Sequence, residues 1–312
     1  MPQANLDAGT IKTSILIPAK NGQSHIAACL QAIYSQQMVE PFEVLIIDSG
    51  STDGTLEIAR DFPARIETIP PETFHHARTR NLAANLARGE FLVFLSQDAI
   101  PASSTWLNAM IGNFRDPEVG AVYGRQLPSP GAPLERLETL ATLYGDDRIV
   151  KKAFTAKHFG YRYYHFSDAN SAIRKKVWEA TKFPEDLKVF EDIAIAKRIL
   201  EAGWSIVYEP QASVFHSHFH TTAGLFKRYF DLGYTMRKLQ IWSPTTGTSL
   251  VRDAWNLMLR KVSRFDGNGN SRNVGVSLSQ DLAKSAGMFL GLYEHLLPLS
   301  IKRRMSAFRV YE

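Results

Sequence analysis

FLVFLSQDAIP, residues 91–101, is the stretch of sequence that decides the fold. Its first five residues are apolar, which is typical of a strand buried on both faces of a parallel sheet. Ser96, Gln97 and Asp98 follow, and Pro101 cannot donate a hydrogen bond to a continuing strand ladder. A carboxylate at the carboxyl end of a central strand lies where open α/β sheets bind ligands. The alternative is that Asp98 only caps the next helix.

The segments on either side of this stretch alternate between strand and helix patterns. Short apolar runs at residues 13–17, 42–47 and 66–69 read as strands, and helical periodicity lies between them. This alternation predicts βαβ units, a parallel sheet and an α/β fold. Further along, we predict helices over 134–152, 191–202 and 221–242, and strands over 119–123, 166–174, 205–208 and 214–220. No G-x-G-x-x-G follows the first strand and no Walker A lysine loop occurs, which argues against a dinucleotide or ATP site.

Composition narrows the class of protein. The chain has 312 residues, enough for one large domain or two modest ones, and 45% of them are apolar. Cys29 is the only cysteine, so the sequence predicts neither an intrachain disulfide nor a zinc site built from cysteines. It also favours location in the reducing cytoplasm. The first ten residues lack the apolar core of a signal peptide, and no apolar run reaches the ~20 residues of a membrane-spanning helix.

Charge is distributed unevenly along the chain. Residues 219–312 hold 14 Lys and Arg against 6 Asp and Glu, a net charge of +8. The first 218 residues hold 22 against 25, a net charge of −3. A basic end on a near-neutral body predicts an anionic partner, and a solvated helical surface is the alternative.

Two carboxylates follow predicted strands. Asp48 ends the second strand and Asp98 the fourth, and such strand ends face one crevice in a doubly wound sheet. One carboxylate could accept the imide N–H of a uracil or thymine ring, and the other could hold Mg²⁺ or Mn²⁺ against a diphosphate. Arg78 and Arg80 lie on the helix between them and could reach phosphate, or could form surface ion pairs.

Two further clusters are candidates for chemistry. Glu191 and Asp192 open a predicted helix, where acidic residues often serve only as caps or dipole partners. His216, His218 and His220 alternate, so an extended chain places their imidazoles on one face. Three histidines on one face favour a metal or phosphate site over a structural role.

Seven stretches, taken together and in order, carry a family resemblance. They resemble family 2 glycosyltransferases of the GT-A fold, and among these the bacterial rhamnosyltransferases of cell-surface polysaccharide synthesis. The stretches are SILIPAKNG (14–22), VLIIDSGSTDGT (44–55), FHHARTRNLAANLARGEFLVFLSQDAIP (74–101), VYGRQLP (122–128), FSDANSAIRKKVW (166–178), FPEDLKVFEDIAIAKRILEAGW (183–204) and VFHSHFH (214–220).

The resemblance implies a Rossmann-like, mostly parallel sheet flanked by helices, with a helical C-terminal extension. Residues 1–220 would form the GT-A domain, with a nucleotide-sugar half at about 10–125 and an acceptor half at about 126–220. Residues 221–312 would form a basic, mainly helical C-terminal region.

The resemblance also implies roles for single residues. Asp192, with Glu191 beside it, matches the catalytic base, and Asp98 matches the metal-binding Asp of the DxD motif. His216 would share the metal, and His218 would lie near the diphosphate. Asp168 and Asn170 fall where the acceptor region begins. The residues expected to bind the nucleotide-sugar are Pro18, Lys20, Asp48, Ser49, Arg78, Arg80, Asn81, Gln97 and Asp98.

Two positions depart from the family pattern. The DxD motif stands as Gln97-Asp98-Ala99, with one carboxylate instead of two, so binding of the divalent metal would be weaker or shared with His216. Ala77 stands where the family often has glycine, so close approach of the nucleotide to the backbone is in question there.

From this resemblance we expect an inverting glycosyltransferase with a dTDP- or UDP-sugar donor, most simply dTDP-L-rhamnose, and a saccharide or lipid-linked saccharide acceptor. Two alternatives remain at this stage: a sugar nucleotidyltransferase, and a non-catalytic carbohydrate- or membrane-binding scaffold with a decayed transferase site. The basic end predicts peripheral contact with the cytoplasmic face of a membrane. No nucleic-acid reader motif occurs, so no nucleic-acid partner is expected. A homodimer through the C-terminal helices is left open.

Overall fold

A computed structural model describes the greater part of the chain. The residues it describes are 10–37, 40–129, 131, 132, 140, 141, 143–153, 161–216, 218, 220–241 and 271–311.

One mixed sheet with helices on both faces forms the centre of the protein. The strands are β1 (Thr13–Ala19), β2 (Phe42–Asp48), β3 (Arg65–Thr68), β4 (Phe91–Leu95), β5 (Ile100–Pro101), β6 (Val119–Leu127), β7 (Ile149–Lys151), β8 (Asn170–Arg174) and β9 (Ser205–Phe215). The helices are α1 (Ile26–Tyr34), α2 (Thr55–Arg60), α3 (His76–Leu86), α4 (Trp106–Gly112), α5 (Lys175–Thr181), α6 (Glu191–Glu201), α7 (Thr222–Lys238), α8 (Ser271–Leu292) and α9 (Leu299–Met305).

The strand order brings the carboxyl ends of several strands together at one edge of the sheet. The order is β3-β2-β1-β4-β8-β6-β9-β5, and β7 pairs with β9. The first four strands are parallel, so the carboxyl ends of β1, β2 and β4 stand side by side. Strand β8 runs antiparallel to both β4 and β6. The predicted α/β fold is thereby confirmed, with a sheet that is mixed beyond β4.

The core consists of two layers because successive residues of a strand point to opposite faces. Leu16 and Phe94 pack on one face with the residues of α3, α5 and α6. Ile15, Ile17 and Val93 pack on the other face with those of α1 and α4. These strands are apolar at every position because both faces are covered, which is why they read as continuous runs in the sequence.

The C-terminal helices pack closely on each other and on α6. Glycines at the α7–α8 contact allow this, since a Cβ on Gly287 or Gly291 would collide with backbone oxygens of α7. A small apolar cluster then joins Ile193 of α6 to Leu232 of α7 and Leu292 of α8. The helix that carries Glu191 and Asp192 is therefore in contact with the C-terminal region.

Several sequence expectations need correction. Residues 149–151, predicted as the end of a helix, form strand β7, because Val150 pairs with Val207 of β9. Residues 205–208 and 214–220 were predicted as two extended pieces, and a single strand covers 205–215. Residues 133–139 and Trp242, which belonged to predicted helices, lie outside the described residues. None of the helices in the described part of the chain is both long and apolar enough to cross a lipid bilayer.

Candidate active site

The loops after β1 and β2 are bonded to each other. Backbone N–H groups of the first loop donate to side chains of the second: Asn21 to Ser51 Oγ at 2.9 Å, and Gly22 to Thr55 Oγ1 at 2.7 Å. In return, the amide N–H of Thr52 donates to Asn21 Oδ1 at 2.9 Å. We name residues 20–23 and 48–55 the donor loops. Their reciprocal bonds fix both loops before any ligand arrives, which is the preorganisation that a binding site needs.

Asp48 and Ser49 lie at the base of the donor loops and are buried. Asp48 Oδ2 accepts from the N–H groups of Gly50 at 2.9 Å and Ser51 at 3.0 Å, so the carboxylate shapes its own loop. Gly50 has φ +80°, a left-handed conformation that favours glycine. Ser49 Oγ donates to Ala19 O at 3.0 Å. A role of Asp48 and Ser49 in reading a nucleoside base stays a prediction.

Gln97 connects the segment after β4 to the segment after β1. Its Oε1 accepts from the Lys20 N–H at 3.1 Å, and its Nε2 donates to Lys20 O at 2.9 Å. Both halves of the amide are thus used by one neighbouring residue. The Lys20 side chain is exposed beside Pro18, which is partly buried at the end of β1. The residue that departs from the DxD pattern therefore has a structural role here.

Asp98, His216 and His218 converge on one point. Their nearest ligand atoms all lie within 4.8 Å of one another, with Asp98 Oδ1 3.5 Å from His216 Nε2 and Asp98 Oδ2 3.6 Å from His218 Nε2. Burial opposes ionisation of Asp98, but the hydrogen bond from His216 and the positive charges of both imidazoles in their protonated form outweigh it, so the pKa of Asp98 lies below its ordinary value. His218 joins a cluster in which the sequence placed only Asp98 and His216.

The protonation of His216 makes this cluster suitable for a divalent cation. His216 Nδ1 lies 2.9 Å from Gln126 Oε1, and an amide oxygen only accepts, so Nδ1 carries the proton. In the neutral ring, Nε2 then presents a lone pair toward the Asp98 carboxylate. Nε2 is buried and has no hydrogen-bond partner among the described residues. Two facing electron-pair donors call for a cation between them, and Mn²⁺ accepts both imidazole and carboxylate.

A second cluster surrounds Arg80. Its Nε lies 2.7 Å from Asp168 Oδ2, and its Nη1 donates to Glu191 Oε1 at 2.8 Å. All three side chains are almost fully buried. Asp192 follows Glu191 in the first turn of α6 and is partly buried. We name Arg80, Asp168, Glu191 and Asp192 the acidic cluster, in which the guanidinium pairs directly with two of the three carboxylates.

Crowding of like charges alters the proton affinity of this cluster. Burial raises the pKa of Asp168 to about 6, with Arg80 opposing and the charge of Glu191 adding to the shift. Burial, followed by the charges of Asp168 and Glu191, raises the pKa of Asp192 well above its ordinary value. A carboxylate whose pKa is raised is a stronger base than an ordinary aspartate.

A cavity of about 420 Å³ connects the acidic cluster to the histidines. Arg80, Asp168, Glu191 and Asp192 line one part of it, and His216, His218 and His220 line another. Its outer wall comes from the C-terminal region, including Arg228 and Tyr229 of α7, Lys284 of α8 and Phe308. A volume of this order accommodates a small organic molecule such as a sugar unit.

Several predicted site residues do not line this cavity, among them Arg78, Asn81 and Asn170. Arg78 is exposed and 3.8 Å from Glu185. The Asn81 amide bonds Trp178 Nε1 and Phe183, and thereby joins α3 to the segment before α6. The Asn170 amide bonds Trp106 Nε1, Arg125 O and Ala212 O behind the cavity. Arg80, expected near the nucleotide, lies in the acidic cluster, where it pairs with Asp168 and Glu191. Nucleotide contacts by these side chains stay predictions.

Sequence reasoning missed several residues of the site. His76 Nδ1 lies 3.9 Å from Glu191 Oε1, and burial, followed by the charge of Arg80, lowers the pKa of His76 to about 4. His76 is therefore neutral in the acidic cluster. Gln126, which orients His216, and Arg228 were not singled out either. His76 and Gln126 lie within stretches that carried the family resemblance, but for Arg228 only the folded geometry gives the signal.

Comparison with known protein families and sequences places these observations in context. The sequence pattern of Glycosyl transferase family 2 matches residues 14–180. The O-antigen chain rhamnosyltransferase WbaN of Salmonella anatum is 33% identical over 287 residues, covering 89% of this chain and 88% of WbaN. The O-antigen chain rhamnosyltransferase RfbN of Salmonella typhimurium is 31% identical over 311 residues, covering 96% of each chain.

Solved structures support the same fold. The mannosyltransferase PcManGT of Pyrobaculum calidifontis, in complex with GDP-Man and Mn²⁺, aligns with a TM-score of 0.60 and 18% identity, covering 92% of this chain and 90% of that one. S. aureus TarS aligns with a TM-score of 0.56 and 17% identity, covering 94% of this chain and 77% of that one. At these identities the likeness concerns the fold alone.

Proposed function

The chain belongs to glycosyl transferase family 2, and on this premise we propose that it is an inverting rhamnosyltransferase. The donor would be dTDP-L-rhamnose, and the acceptor a hydroxyl group of a saccharide on a lipid carrier. The two O-antigen rhamnosyltransferases that resemble it over most of their length support the choice of sugar. The observation that carries the mechanism is Asp192, a carboxylate of raised pKa on the wall of the cavity.

The donor loops would hold the nucleoside diphosphate. They follow the ends of β1 and β2 and are cross-bonded, so they offer a fixed backbone surface rather than a flexible one. Pro18, Lys20, Asp48 and Ser49 are the residues we assign to this surface. Asp48 reads the imide edge of the base in this proposal, so thymine and uracil would be accepted alike.

The transfer step needs one base. The Asp192 carboxylate takes the proton of the acceptor hydroxyl, and the acceptor oxygen forms its bond to the anomeric carbon. The bond from the anomeric carbon to the diphosphate oxygen breaks at the same time, and its electron pair leaves with the nucleoside diphosphate. Attack from the face opposite the leaving group inverts the anomeric centre. Arg80 limits the repulsion among the neighbouring carboxylates, and Glu191 remains bound to it.

Asp98, His216 and His218 would hold Mg²⁺ or Mn²⁺, which supplies positive charge for the departing diphosphate. Gln126 fixes His216 in the tautomer that this requires. His220 lies near His218, with ring centroids 6.3 Å apart, and completes the basic side of the cavity.

Ligand binding and product formation test this proposal. We expect dTDP and UDP, but not GDP or CMP, to raise the melting temperature, and Mn²⁺ to increase the rise, because a ligand of the native state stabilises it. With dTDP-L-rhamnose and a panel of octyl glycosides, at least one rhamnosylated product should appear by mass spectrometry. Binding of GDP alone, or transfer from a GDP-sugar in preference, would contradict the donor assignment.

We also propose peripheral docking of the C-terminal region on an anionic membrane surface. Leu296 is 71% and Leu299 51% exposed, and Arg303 lies one helical turn from Leu299 on α9, beside the exposed Arg304. Neither Arg303 nor Arg304 has an ion-pair partner among the described residues, and apolar side chains beside such cations are complementary to anionic headgroups over acyl chains. Not all basic and aromatic residues of the region contribute: Lys302 is paired with Glu294, and Phe230 is buried in the core.

Co-sedimentation with vesicles containing phosphatidylglycerol tests the docking surface. We expect binding at low salt that weakens at high salt and in the variant Arg303→Glu/Arg304→Glu. The variant Arg60→Glu/Arg115→Glu makes the same change of net charge at exposed positions of the other half and should bind as the parent does. Equal binding by both variants, or no binding at any salt concentration, would contradict docking.

A further inference from the structure

Phe190 has an unusual backbone conformation immediately before the predicted base. Its φ of 58° and ψ of 30° place it in the left-handed region, and it is the N-cap of α6, whose first two residues are Glu191 and Asp192. A bulky residue rarely adopts this conformation, which persists only when the surroundings impose it. The backbone at Phe190 sets the direction in which the first turn of α6 begins.

Side chains from the C-terminal region hold the Phe190 ring. The Arg228 guanidinium of α7 lies 5.5 Å from the ring centroid of Phe190 and 5.5 Å from that of Phe308. The two rings also meet edge to face, with centroids 6.4 Å apart. Arg228 therefore packs against an aromatic residue from the base-bearing loop and another from the C-terminal segment, and such cation–π contacts are strengthened when they are partly shielded from water.

Two lysines make further bonds between the C-terminal region and the loop before α6. Lys238 of α7 donates to Asp186 O at 2.8 Å and pairs with Asp186 Oδ2 at 3.0 Å. Lys188 donates to Arg309 O at 2.8 Å. Asp186, Lys188 and Phe190 alternate along the loop, residues 184–190, that leads into α6. The C-terminal region thus contacts this loop at three alternate positions, 186, 188 and 190.

The C-terminal segment is itself fastened to α7. Asp231 is fully buried, and its Oδ2 accepts from the N–H groups of Ala307 at 2.8 Å and Phe308 at 3.0 Å. A buried carboxylate that accepts two backbone N–H groups fixes the position of the chain that donates them. Phe308 is therefore held against Phe190 by the same helix that supplies Arg228.

We propose that Phe190 is a positioning residue, and that Arg228 and Phe308 clamp it so that the first turn of α6 presents Asp192 to the acceptor. The proposal rests on the assignment of Asp192 as the base. It gives the C-terminal region a part in the transfer reaction beside its docking surface. The observations on which it depends are the left-handed backbone at Phe190, the two ring contacts and the cavity wall that Arg228 and Phe308 share with Asp192.

A double-mutant cycle tests it in the full-length protein. Phe308→Ala and Arg228→Ala should each lower the rate of dTDP release from dTDP-L-rhamnose with octyl glycosides by about ten- to a hundredfold, since small displacements of a reacting group are costly. The affinity for dTDP should stay within about twofold, because the donor loops are elsewhere. In an Asp192→Asn background, Phe308→Ala should lower the rate by less than about twofold, since the residue it positions is no longer a base.

Three outcomes separate the possible failures. An equal loss from Phe308→Ala in both backgrounds overturns the positioning role while leaving Asp192 as the base. A parent-like rate for Asp192→Asn overturns the proposed function on which the positioning role rests. A parent-like rate for Phe308→Ala and Arg228→Ala overturns the positioning role alone.

Matched variants keep the test independent of global unfolding. Lys227→Ala removes an exposed cation next to Arg228 on α7 and should leave the rate unchanged. Phe308→Tyr keeps an aromatic ring and should restore most of the rate that Phe308→Ala loses. If Phe308→Ala melts below the assay temperature, Arg228→Ala and Phe308→Leu provide the same cycle. A parent-like rate for Phe308→Leu as well as for Phe308→Tyr would contradict the clamp, because leucine lacks the aromatic ring that Arg228 and Phe190 contact.

Discussion

The donor loops and the acidic cluster are built in opposite ways. The donor loops are joined by bonds between residues about 30 positions apart, and their partners are backbone groups, hydroxyls, amides and the Asp53 carboxylate. The acidic cluster joins residues 111 positions apart, and its partners are buried charges. The difference teaches that the two regions suit different tasks in the proposed function: a fixed polar surface suits binding of the sugar donor, whereas crowded carboxylates suit the proton affinity required of a base.

The largest expected effect comes from Asp192→Asn. Transfer should fall by a factor on the order of 10²–10⁴, the usual contribution of a general base, while dTDP affinity stays unchanged. Because the pKa of Asp192 is raised and the base must be deprotonated, the parent rate should fall with decreasing pH at a higher pH than for an ordinary aspartate. Glu201→Gln at the far end of α6 is the control. A parent-like transfer rate for Asp192→Asn would contradict the assignment of Asp192 as the base, and with it the contrast between the two regions.

Arg80→Ala should have the next largest effect, and it should appear in stability. Removing the guanidinium leaves Asp168 and Glu191 buried without their counter-charge, which costs about 3–5 kcal/mol in buried pairs. Chemical denaturation at neutral pH measures the loss. Arg78→Ala, two residues away on α3, removes an exposed pair with Glu185 and should cost less than about 1 kcal/mol. Equal losses for the two variants would show that the cluster is not electrostatically strained.

A smaller effect is expected from Asp98→Ala. Mn²⁺ should strengthen dTDP binding to the parent, and the variant should lose that gain, on the order of ten- to a hundredfold. Calorimetry with Mn²⁺ and with EDTA separates metal-dependent from metal-independent affinity. Gln126→Ala, which frees His216 Nδ1, should lose part of the gain. Equal affinity in Mn²⁺ and EDTA for the parent would move the charge-stabilising role to the histidines and arginines.

The smallest effect is expected in the donor loops. Ser51→Ala removes the acceptor of the Asn21 N–H and one donor to Asp48, at a cost of about 1 kcal/mol per bond. We expect dTDP affinity to fall about fivefold and the transfer rate at saturating donor to stay near that of the parent. A loss of rate without a loss of affinity would reverse the assignment of the two regions.

The sequence predicted the placement of Asp48, Asp98 and the histidines better than that of the acidic cluster. Asp48 and Asp98 follow apolar runs that could only be buried strands, so their shared edge followed from the βαβ rhythm. His216 and His218 followed from alternation in a strand. These are local patterns, and local patterns are what a single sequence carries.

The remainder depends on contacts between distant segments. Nothing in the sequence indicates that Arg80 of α3 pairs with both Asp168 and Glu191 of α6. The left-handed conformation of Phe190 and its contact with Phe308 depend on packing against the C-terminal region. No pattern in the sequence of residues 184–190 indicates this packing. Gln97 reads as a damaged metal ligand in the sequence and is a connector between β4 and β1 in the fold.

The anomeric configuration of the product tests the central claim, a single displacement with one base. The parent enzyme would be given dTDP-L-rhamnose and the octyl glycoside that it accepts, and the product examined by NMR before any chemical rearrangement. We predict that the new rhamnosidic bond has the configuration opposite to that of the donor. Retention of the donor configuration would require a second displacement, and would contradict both the mechanism and the role of Asp192.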